Sequence, residues 1–163
     1  MKQIQYMVGD ATRPIGEGQK IIAHVCNNIG AWGAGFVLSL SERWLLPEQK
    51  YKEWYKNKHL DKLEEGCFVL GNNQIVKVEH NILVCNMIAQ EGIRSKHGAP
   101  PIQYNFLEMC LFNLGNRILI NNFSVHMPRI GCGLAGGRWD LIEPIIIKTL
   151  CNRDIAVIVY DWR

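Results

Sequence analysis

The sequence predicts an α/β fold, a three-layer α/β/α sandwich with a mixed, mostly parallel central sheet. Segments of strand composition alternate with segments of helical periodicity along the chain. The segment Lys20–Cys26 is almost continuously apolar, as expected for a strand that helices cover on both faces. With 163 residues the chain has the length of one domain, which we predict to span residues 1–163.

Each strand is predicted from a short apolar run that ends at turn-forming residues. The run Ile4–Val8 ends at Gly9-Asp10. The run Lys20–Cys26 ends at Asn27-Asn28. Five further strands are predicted on the same grounds: Gly66–Leu70, Gln74–Val78, Asn81–Met87, Phe123–Met127 and Ile155–Tyr160. A hairpin turn at residues 71–73 is predicted to join the first two of these five.

Four helices are predicted from apolar side chains at helical spacing and from helix-forming composition. They are Phe36–Trp44, a lysine-rich segment after Pro47, Ile102–Leu119 and Trp139–Leu150. An interior proline removes a helical hydrogen bond and clashes with the preceding turn. We therefore predict that Pro144 lies in the first turn of the last helix.

Lysines cluster in the segment Lys50–Lys62, although the net charge of the whole chain is only +3. The simpler interpretation is a solvated helix face. The alternative is a nucleic-acid groove in which Trp54 and Tyr55 stack on bases. We keep nucleic acid as a secondary partner class.

The composition indicates a folded globular protein, with 48% hydrophobic and 20% charged residues. No pair of its six cysteines forms a Cys-x-x-Cys motif, the N-terminal residues lack a signal-peptide pattern, and no apolar run reaches the ~20 residues of a membrane span. We predict a cytoplasmic protein with reduced thiols and no membrane partner. Metal-ligand spacing is absent, so we predict no metal and no cofactor.

Two glycine-rich segments each join a predicted strand to a predicted helix. Gly131–Gly136 precedes the last helix, and Gly30–Gly35 follows the second strand. Glycines let backbone N–H groups converge on an anion, and a helix N-terminus adds positive partial charge. Both segments would lie at the carboxyl ends of strands, where open α/β sheets bind ligands. The pair would suit a diphosphate that links two ribosides.

Two other interpretations fit the segment Gly131–Gly136 taken alone. Its spacing matches the Gly-x-Gly-x-x-Gly fingerprint of NAD-dependent dehydrogenases. That fingerprint normally opens the first strand–helix–strand unit of a longer domain, whereas only 27 residues follow Gly136 here. The glycines could also form a purely structural tight turn.

Three motifs, in this order, resemble those of the macro domain family over essentially the whole chain. They are Gly9-Asp10 after the first strand, AHVCN ahead of WGAG at residues 23–35, and PRIGCGL at residues 128–134. The motif at residues 23–35 is similar to that of the ADP-ribose 1″-phosphate phosphatases. The motif at residues 128–134 is similar to that of the terminal ADP-ribose protein glycohydrolases.

The resemblance implies that the chain binds ADP-ribose or an ADP-ribosylated macromolecule. Asp10 would accept a hydrogen bond from the adenine amino group, and Asn27 would face the distal ribose. Without the resemblance, Asp10 would be a turn former and Trp162 a terminal core residue. The substrate-binding residues so implied are Gly9, Asp10, Ala11, Asn27, Trp32, Gly33, Ala34, Gly35, Phe36, Arg129, Gly131, Cys132, Gly133, Leu134, Ala135, Gly136, Tyr160, Asp161 and Trp162.

Two departures from the family pattern bear on the reaction. The glycohydrolase branch has a lysine and an aspartate where an ungapped comparison places Gln90 and Ala135 here. Neither residue can form a Schiff base or act as a general base, which argues against a lysine adduct. A metal-independent hydrolysis by positioning of substrate and water remains.

The predicted catalytic residues are Asn27, Asn28 and His97. The asparagines would polarise or place the reacting groups, and His97 lies in the polar loop of residues 91–101. Glu91 and His24 are further titratable candidates, although His24 and His126 lie in apolar strands and fit hydrogen-bonded core histidines better. We predict a hydrolase that acts on an ADP-ribose derivative, either as an ADP-ribose 1″-phosphate phosphatase or in de-ADP-ribosylation of protein or nucleic acid. The alternative is a non-catalytic module that reads ADP-ribose.

Overall fold

A computed structural model describes residues 1–60 and 65–162. In these two ranges six strands form one sheet, in the order β1-β6-β5-β2-β4-β3. The strands are β1 (Gln5–Val8), β2 (Lys20–Asn27), β3 (Asn73–Glu79), β4 (Ile82–Gln90), β5 (Ser124–Met127) and β6 (Val157–Asp161). The helices are α1 (Phe36–Arg43), α2 (Leu46–Lys56), α3 (Tyr104–Ile118) and α4 (Trp139–Thr149), and a 3-10 helix, Cys151–Arg153, follows α4.

Five neighbouring strands of the sheet are parallel, and β3 pairs antiparallel to β4 at one edge. This arrangement confirms the predicted mixed, mostly parallel sheet. Parallel strands end at the same edge of a sheet. The chain segments that follow β1, β2, β4, β5 and β6 therefore meet there.

Side chains of β2 point alternately into two apolar cores, one on each face of the sheet. Ile21 and Ala23 belong to the core that includes Leu107 of α3 and Ile142 of α4. Ile22 and Cys26 belong to the core built with α1 and α2. Burial of each such aliphatic side chain stabilises the fold by about 1.5–3 kcal/mol. Helices thus cover both faces, and the predicted three-layer sandwich is confirmed.

The strand predicted at Gly66–Leu70 is wrong, and so is the hairpin turn at residues 71–73. The N–H of Val69 donates to the carbonyl of Cys67 at 3.0 Å, so the backbone turns instead of extending. The apolar residue Phe68 serves as a single anchor against Trp54, with ring centroids 5.0 Å apart. Residue 73 already belongs to β3, and the hairpin of this region joins β3 to β4.

Pro144 lies beyond the first turn of α4, contrary to the prediction. The helix begins at Trp139 and carries the proline in its interior. The missing N–H would have donated to the carbonyl of Asp140, four residues earlier. Both Asp140 and Pro144 are exposed, so water can satisfy this carbonyl.

The lysine-rich segment forms α2, with Pro47 in its first turn. Trp54 is 2% exposed, and its Nε1 donates to the carbonyl of Gly66 at 2.9 Å. The predicted use of Trp54 as a base-stacking surface is therefore wrong. Tyr55 is half-buried, and the ammonium of Lys58 lies 4.0 Å from its ring centroid. The end of the predicted segment, residues 61 and 62, lies outside the described residues.

None of the helices in the described ranges has the length and apolarity needed to cross a membrane.

Candidate functional site

Two glycine loops lie side by side at the carboxyl edge of the sheet. Loop A (residues 27–35) follows β2, and loop B (residues 131–136) lies beyond β5, which is the parallel neighbour of β2. The two loops border a cleft made of two adjoining cavities of about 250 and 370 Å³. Residues that line both cavities are Val25, Ala34, Val37, Gln90 and Leu134.

The cleft is bordered by backbone N–H groups without a protein acceptor. Within the described ranges this holds for Gly33, Ala34 and Gly35 of loop A and for Gly133, Leu134 and Ala135 of loop B. Helix α1 begins at Phe36, so its N-terminus adds positive partial charge beside loop A. The guanidinium-bearing Arg129 lines the same cavity as Gly35 and Gly131. The cleft can therefore hold a diphosphate.

Asn27 braces loop A from inside. Its Oδ1 accepts the N–H groups of Ile29 and Ala31, each at 3.0 Å, and its Nδ2 donates to the carbonyl of Ala31 at 2.8 Å. The buried hydroxyl of Tyr51 lies 2.6 Å from the Asn27 carbonyl and 2.9 Å from its Oδ1. The side chain of Asn27 is thus committed to the loop, with one amide hydrogen left.

Trp32 anchors the same loop to both helices on its side of the sheet. It is 6% exposed, and its Nε1 donates to Ser41 Oγ of α1 at 2.9 Å. The Ser41 hydroxyl in turn donates to Glu48 Oε1 of α2 at 2.8 Å. Hydrogen bonds from Lys52 and Ser41 lower the pKa of Glu48, which keeps this acceptor ionised.

Loop B is held by its own backbone. The N–H of Gly137 donates to the carbonyl of Gly131 at 2.7 Å, and that of Gly136 donates to the carbonyl of Gly133 at 3.0 Å. Gly131 and Gly136 both have φ of 72°, a left-handed conformation that favours glycine. Cys132 is half-buried, and burial raises its pKa, so it remains a thiol at neutral pH.

His24 forms part of the wall of the first cavity. It is buried, and its Nε2 lies 2.5 Å from Asn86 Oδ1, which identifies Nε2 as the donor. Burial lowers the pKa of His24 to about 4, so the ring is neutral at pH 7. The prediction that His24 and His126 are hydrogen-bonded core residues is confirmed.

The segment after β4 borders the second cavity but does not bring His97 to it. Asn28 Oδ1 accepts the N–H of Gly92 at 2.9 Å, and Gln90 Nε2 donates to the Gly92 carbonyl at 2.9 Å. His97 is exposed, has φ of 52°, and sits in a turn closed by the pairing of residues 96 and 99. It lines neither cavity.

Asp10 follows the end of β1, and Tyr160 lies near the end of the neighbouring strand β6. Asp10 Oδ1 accepts the N–H and the hydroxyl of Thr12, at 2.9 and 2.8 Å, so Asp10 does form the turn that its residue type suggests. Tyr160 is 3% exposed, and its hydroxyl accepts the N–H of Ile15 at 3.0 Å. Trp162 is 72% exposed, so its interpretation as a core residue is wrong.

Arg129 and Asp161 form a two-bond ion pair at the mouth of the cleft. The N–O distances are 2.5 and 3.0 Å, and the pair lowers the pKa of Asp161 while raising that of Arg129. The guanidinium also lies 5.1 Å from the Tyr6 ring centroid and 5.0 Å from that of Trp139. This end of the cleft therefore has a fixed planar cation among aromatic rings.

The structure brings most of the predicted substrate-binding residues into one cleft. Those that line it are Asn27, Trp32, Gly33, Ala34, Gly35, Phe36, Arg129, Gly131, Gly133, Leu134 and Ala135. Those that line neither cavity are Gly9, Asp10, Ala11, Cys132, Gly136, Tyr160, Asp161 and Trp162. Of the predicted catalytic residues, Asn28 and His97 also line neither cavity. The sequence prediction missed the apolar lining residues Val25, Val37, Ile93, Pro128 and Ile130. Pro128 and Ile130 flank Arg129 in the motif at residues 128–134, which could have identified them.

Comparison with known proteins identifies relatives along the full length of the chain. No protein-family model matches it. A solved structure of a protein of unknown function from Bacteroides thetaiotaomicron is 50% identical, with a TM-score of 0.92 over 98% of each chain. The chain is also 26% identical to an ADP-ribose 1″-phosphate phosphatase of Lodderomyces elongisporus, over 97% of this chain and 99% of that protein.

The solved structure of a macrodomain protein from Streptomyces coelicolor is 43% identical and superimposes with a TM-score of 0.85. The match covers 98% of this chain and 99% of that one. Identity at this level over the whole length shows that the chain belongs to the macrodomain family.

Proposed function

We propose that the cleft binds ADP-ribose and that the protein is a metal-independent hydrolase of an ADP-ribose derivative. The observation that carries the binding proposal is the pair of glycine loops, which border one cleft with N–H groups that have no protein acceptor in the described ranges. Such groups, a helix N-terminus and Arg129 together match a diphosphate. The name of the Lodderomyces relative, an ADP-ribose 1″-phosphate phosphatase, points to the same ligand class.

The proposed orientation of the ligand combines the layout of the cleft with the role that the family resemblance implies for Asp10. Loops A and B would hold the diphosphate, and the adenine would extend beyond the two cavities to Asp10, which lines neither of them. Asp10 Oδ1 is occupied by Thr12, so Oδ2 would accept the adenine amino group. The distal ribose would lie in the second cavity, beside Asn27 and Trp32.

If the cleft is catalytic, its lining leaves attack by a positioned water as the route. No lysine, aspartate or glutamate lines either cavity in the part of the chain that the structure describes. Cys26 lines the second cavity, but burial raises its pKa well above the usual range and keeps it a thiol. In phosphatase action a water oxygen would bond to the phosphorus as the P–O bond to the ribose breaks, which releases phosphate and ADP-ribose. In de-ADP-ribosylation the water oxygen would bond to the anomeric carbon as its bond to the acceptor breaks, which releases ADP-ribose and the acceptor. In both cases a water proton ends on the leaving group. Positioning alone can supply up to roughly 7–11 kcal/mol.

Two reactions fit this proposal, and a reader is the second candidate function. The reactions are phosphate removal from ADP-ribose 1″-phosphate and release of ADP-ribose from protein or nucleic acid. The lack of a lysine or carboxylate among the lining residues favours a module that binds ADP-ribose without turnover. His97 does not distinguish a hydrolase from a reader, because it lies outside both cavities.

Calorimetric titration with ADP-ribose, followed by a phosphate-release assay on ADP-ribose 1″-phosphate, tests the proposal. Binding with release supports the phosphatase. Binding without release supports the reader or a de-ADP-ribosylating enzyme, which assays on ADP-ribosylated protein and nucleic acid would separate. Absence of binding contradicts the proposed ligand.

The variant Gly131→Glu tests the assignment of loop B. A Cβ at this residue would lie 3.0 Å from Ile102 Cδ1 and 3.2 Å from Ile142 Cδ1, and the carboxylate would repel a diphosphate. We expect ADP-ribose affinity to fall by about a hundredfold or more, since two hydrogen bonds to a charged group contribute about 3 kcal/mol or more. Gly18→Glu is the matched control, because Gly18 also has positive φ and lines neither cavity of the cleft. Unchanged affinity in Gly131→Glu would refute the assignment.

A further inference from the structure

A hydrogen-bond chain runs from the buried residues Tyr160 and His126 to the half-buried Ser124, and it reaches the segment that joins β1 to β2 at both ends. The Tyr160 hydroxyl accepts the N–H of Ile15 at 3.0 Å and lies 2.7 Å from His126 Nδ1. His126 Nε2 lies 2.8 Å from Ser124 Oγ, which is 3.5 Å from the carbonyl of Gln19. The chain thus links residues 15 and 19 of the same connecting segment through two neighbouring strands, β5 and β6.

The direction of every hydrogen bond in this chain follows from its Ser124 end. The Ser124 hydroxyl donates its one proton to the Gln19 carbonyl, so its oxygen accepts from His126 Nε2–H. In a neutral ring Nδ1 then has no proton and accepts from the Tyr160 hydroxyl, whose oxygen accepts from Ile15 N–H. The neutral Nε2–H tautomer satisfies all four links. Burial lowers the pKa of His126 to about 4, which agrees with a neutral ring at pH 7.

Tyr160 also holds the other end of this segment. Its ring packs in a small core with Ala11 and Ile158. A Cβ placed on Gly9 would lie 3.4 Å from Tyr160 Cδ1, so the backbone at Gly9 rests against the ring. One tyrosine therefore fixes residues 9–11 through its ring and residue 15 through its hydroxyl. Asp10 lies between these two points of contact.

We propose that His126 is a positioning residue that, through Tyr160, fixes the segment 9–15 and thereby sets the preference of the cleft for adenine. His126 itself lines neither cavity. The inference rests on the proposed function, in which Asp10 Oδ2 accepts the adenine amino group. Displacement of residues 9–15 would leave the diphosphate contacts of loops A and B in place. It would weaken the preference for adenine over other bases.

The test compares ADP-ribose with inosine diphosphate ribose, which has hypoxanthine in place of adenine and lacks the amino group. The parent protein is expected to prefer ADP-ribose. Tyr160→Phe removes only the hydroxyl and should lower this preference about fivefold, the usual value of one hydrogen bond. His126→Phe should lower it equally. Because His126 acts through Tyr160, the double variant should show no greater loss than either single variant.

Tyr104→Phe is the matched control. The Tyr104 hydroxyl accepts the N–H of Arg138 at 3.1 Å, just beyond loop B, so this variant also removes a tyrosine hydroxyl that holds a backbone N–H. It should leave the ratio of the two affinities unchanged. An equal loss of preference in Tyr104→Phe, or an unchanged preference in Tyr160→Phe, would overturn the inference.

A spectroscopic measurement on the parent protein avoids any loss of folding in the variants. Nitrogen-15 chemical shifts of the His126 ring at pH 7 should report the neutral Nε2–H tautomer. An Nδ1–H tautomer or an imidazolium would refute the hydrogen-bond chain. Failure of the parent to bind ADP-ribose would refute the proposed function. Binding without preference between the two ligands would refute the adenine reading alone.

Discussion

Loops A and B offer the same kind of backbone donors but are held in different ways. In loop A, side chains do the bracing: Asn27 bonds to the loop backbone, Tyr51 bonds to Asn27, and Trp32 is tied through Ser41 to Glu48. In loop B the bracing comes from two backbone hydrogen bonds and from glycines with positive φ. The anion-binding geometry can therefore be reached by two routes, which fail under different substitutions.

Among substitutions that disturb the bracing of the loops, the largest expected effect comes from adding a methyl group beside loop B. A Cβ on Gly137 would lie 2.5 Å from the carbonyl oxygen of Gly131, the acceptor that closes the loop. Gly137→Ala should displace the loop N–H groups and lower ADP-ribose affinity about a hundredfold, as for two lost bonds to a charged group. Gly115→Ala is the matched control, since its Cβ would also make a close contact, 2.5 Å from Arg153 Nη1, but Gly115 lines neither cavity. Titration calorimetry on both variants checks the prediction, and equal affinities would contradict it.

The next effect is expected in loop A, from loss of a side chain. Asn27→Ala leaves the N–H groups of the exposed Ile29 and the half-buried Ala31 without their acceptor, and each lost hydrogen bond costs about 1 kcal/mol. We expect unfolding by urea at clearly lower concentration and ADP-ribose affinity about thirtyfold weaker. Asn28→Ala should have a smaller effect, because its Oδ1 accepts only from Gly92 at the side of the cleft. Equal stability of the two variants would show that Asn27 does not brace the loop.

Acid should lower the free energy of unfolding through His24, which packs against Trp32 of loop A. The two ring centroids lie 5.4 Å apart. The His24 pKa of about 4 lies below the unfolded value of about 6.5, so the unfolded chain binds more protons between these values. Stability is then full above pH 6.5 and falls as the pH drops toward 4, by about 2 kcal/mol at pH 5. Urea unfolding at pH 7.5 and pH 5 measures this loss, to which His126 should add in the same direction.

The variant His24→Gln isolates the part that belongs to His24. It should show a smaller difference in unfolding free energy between the two pH values than the parent protein. The prediction fails if parent and variant lose the same amount of stability.

The smallest effect is expected from a single hydroxyl under loop A. Tyr51→Phe removes the hydrogen bond to the Asn27 carbonyl and should lower ADP-ribose affinity about fivefold, equivalent to about 1 kcal/mol. Tyr55→Phe on the same helix is the matched control, because the described residues show no hydrogen bond of its hydroxyl. Tyr51→Phe with parental affinity would indicate that Asn27 and Trp32 suffice to hold the loop.

The sequence predicts the sheet and the loops where local pattern decides them. The apolar run of β2, the strand–glycine–helix order and the motifs around Gly33 and Gly131 all act over a few residues. The predicted strand at residues 66–70 failed because Phe68 is apolar for a local reason, as an anchor against Trp54. Composition alone cannot distinguish such an anchor from a strand.

The hydrogen bonds that brace the cleft cannot be predicted from the sequence, because they join residues far apart in the chain. Tyr51 meets Asn27 across 24 residues, and Tyr160 meets Ile15 across 145. No local period encodes these pairs, which exist only after the helices and strands have packed. His97 shows the opposite case. Its polar loop lies beside the cleft, as its sequence suggests, but His97 itself lines neither cavity.

The base of the loop after β4 has a consequence for how such proteins can diversify. The N–H of Glu91 donates to the carbonyl of Pro101 at 2.9 Å, and Gln90 pairs with Ile102, so the two ends of the loop are joined before it leaves the body. Residues 94–99 thus form a segment whose length and composition can be exchanged while Ile93 keeps its place in the cleft and Pro100 its contact with Gly136 of loop B. Protein engineers could graft new surface segments at this point without changing the residues that line the cleft.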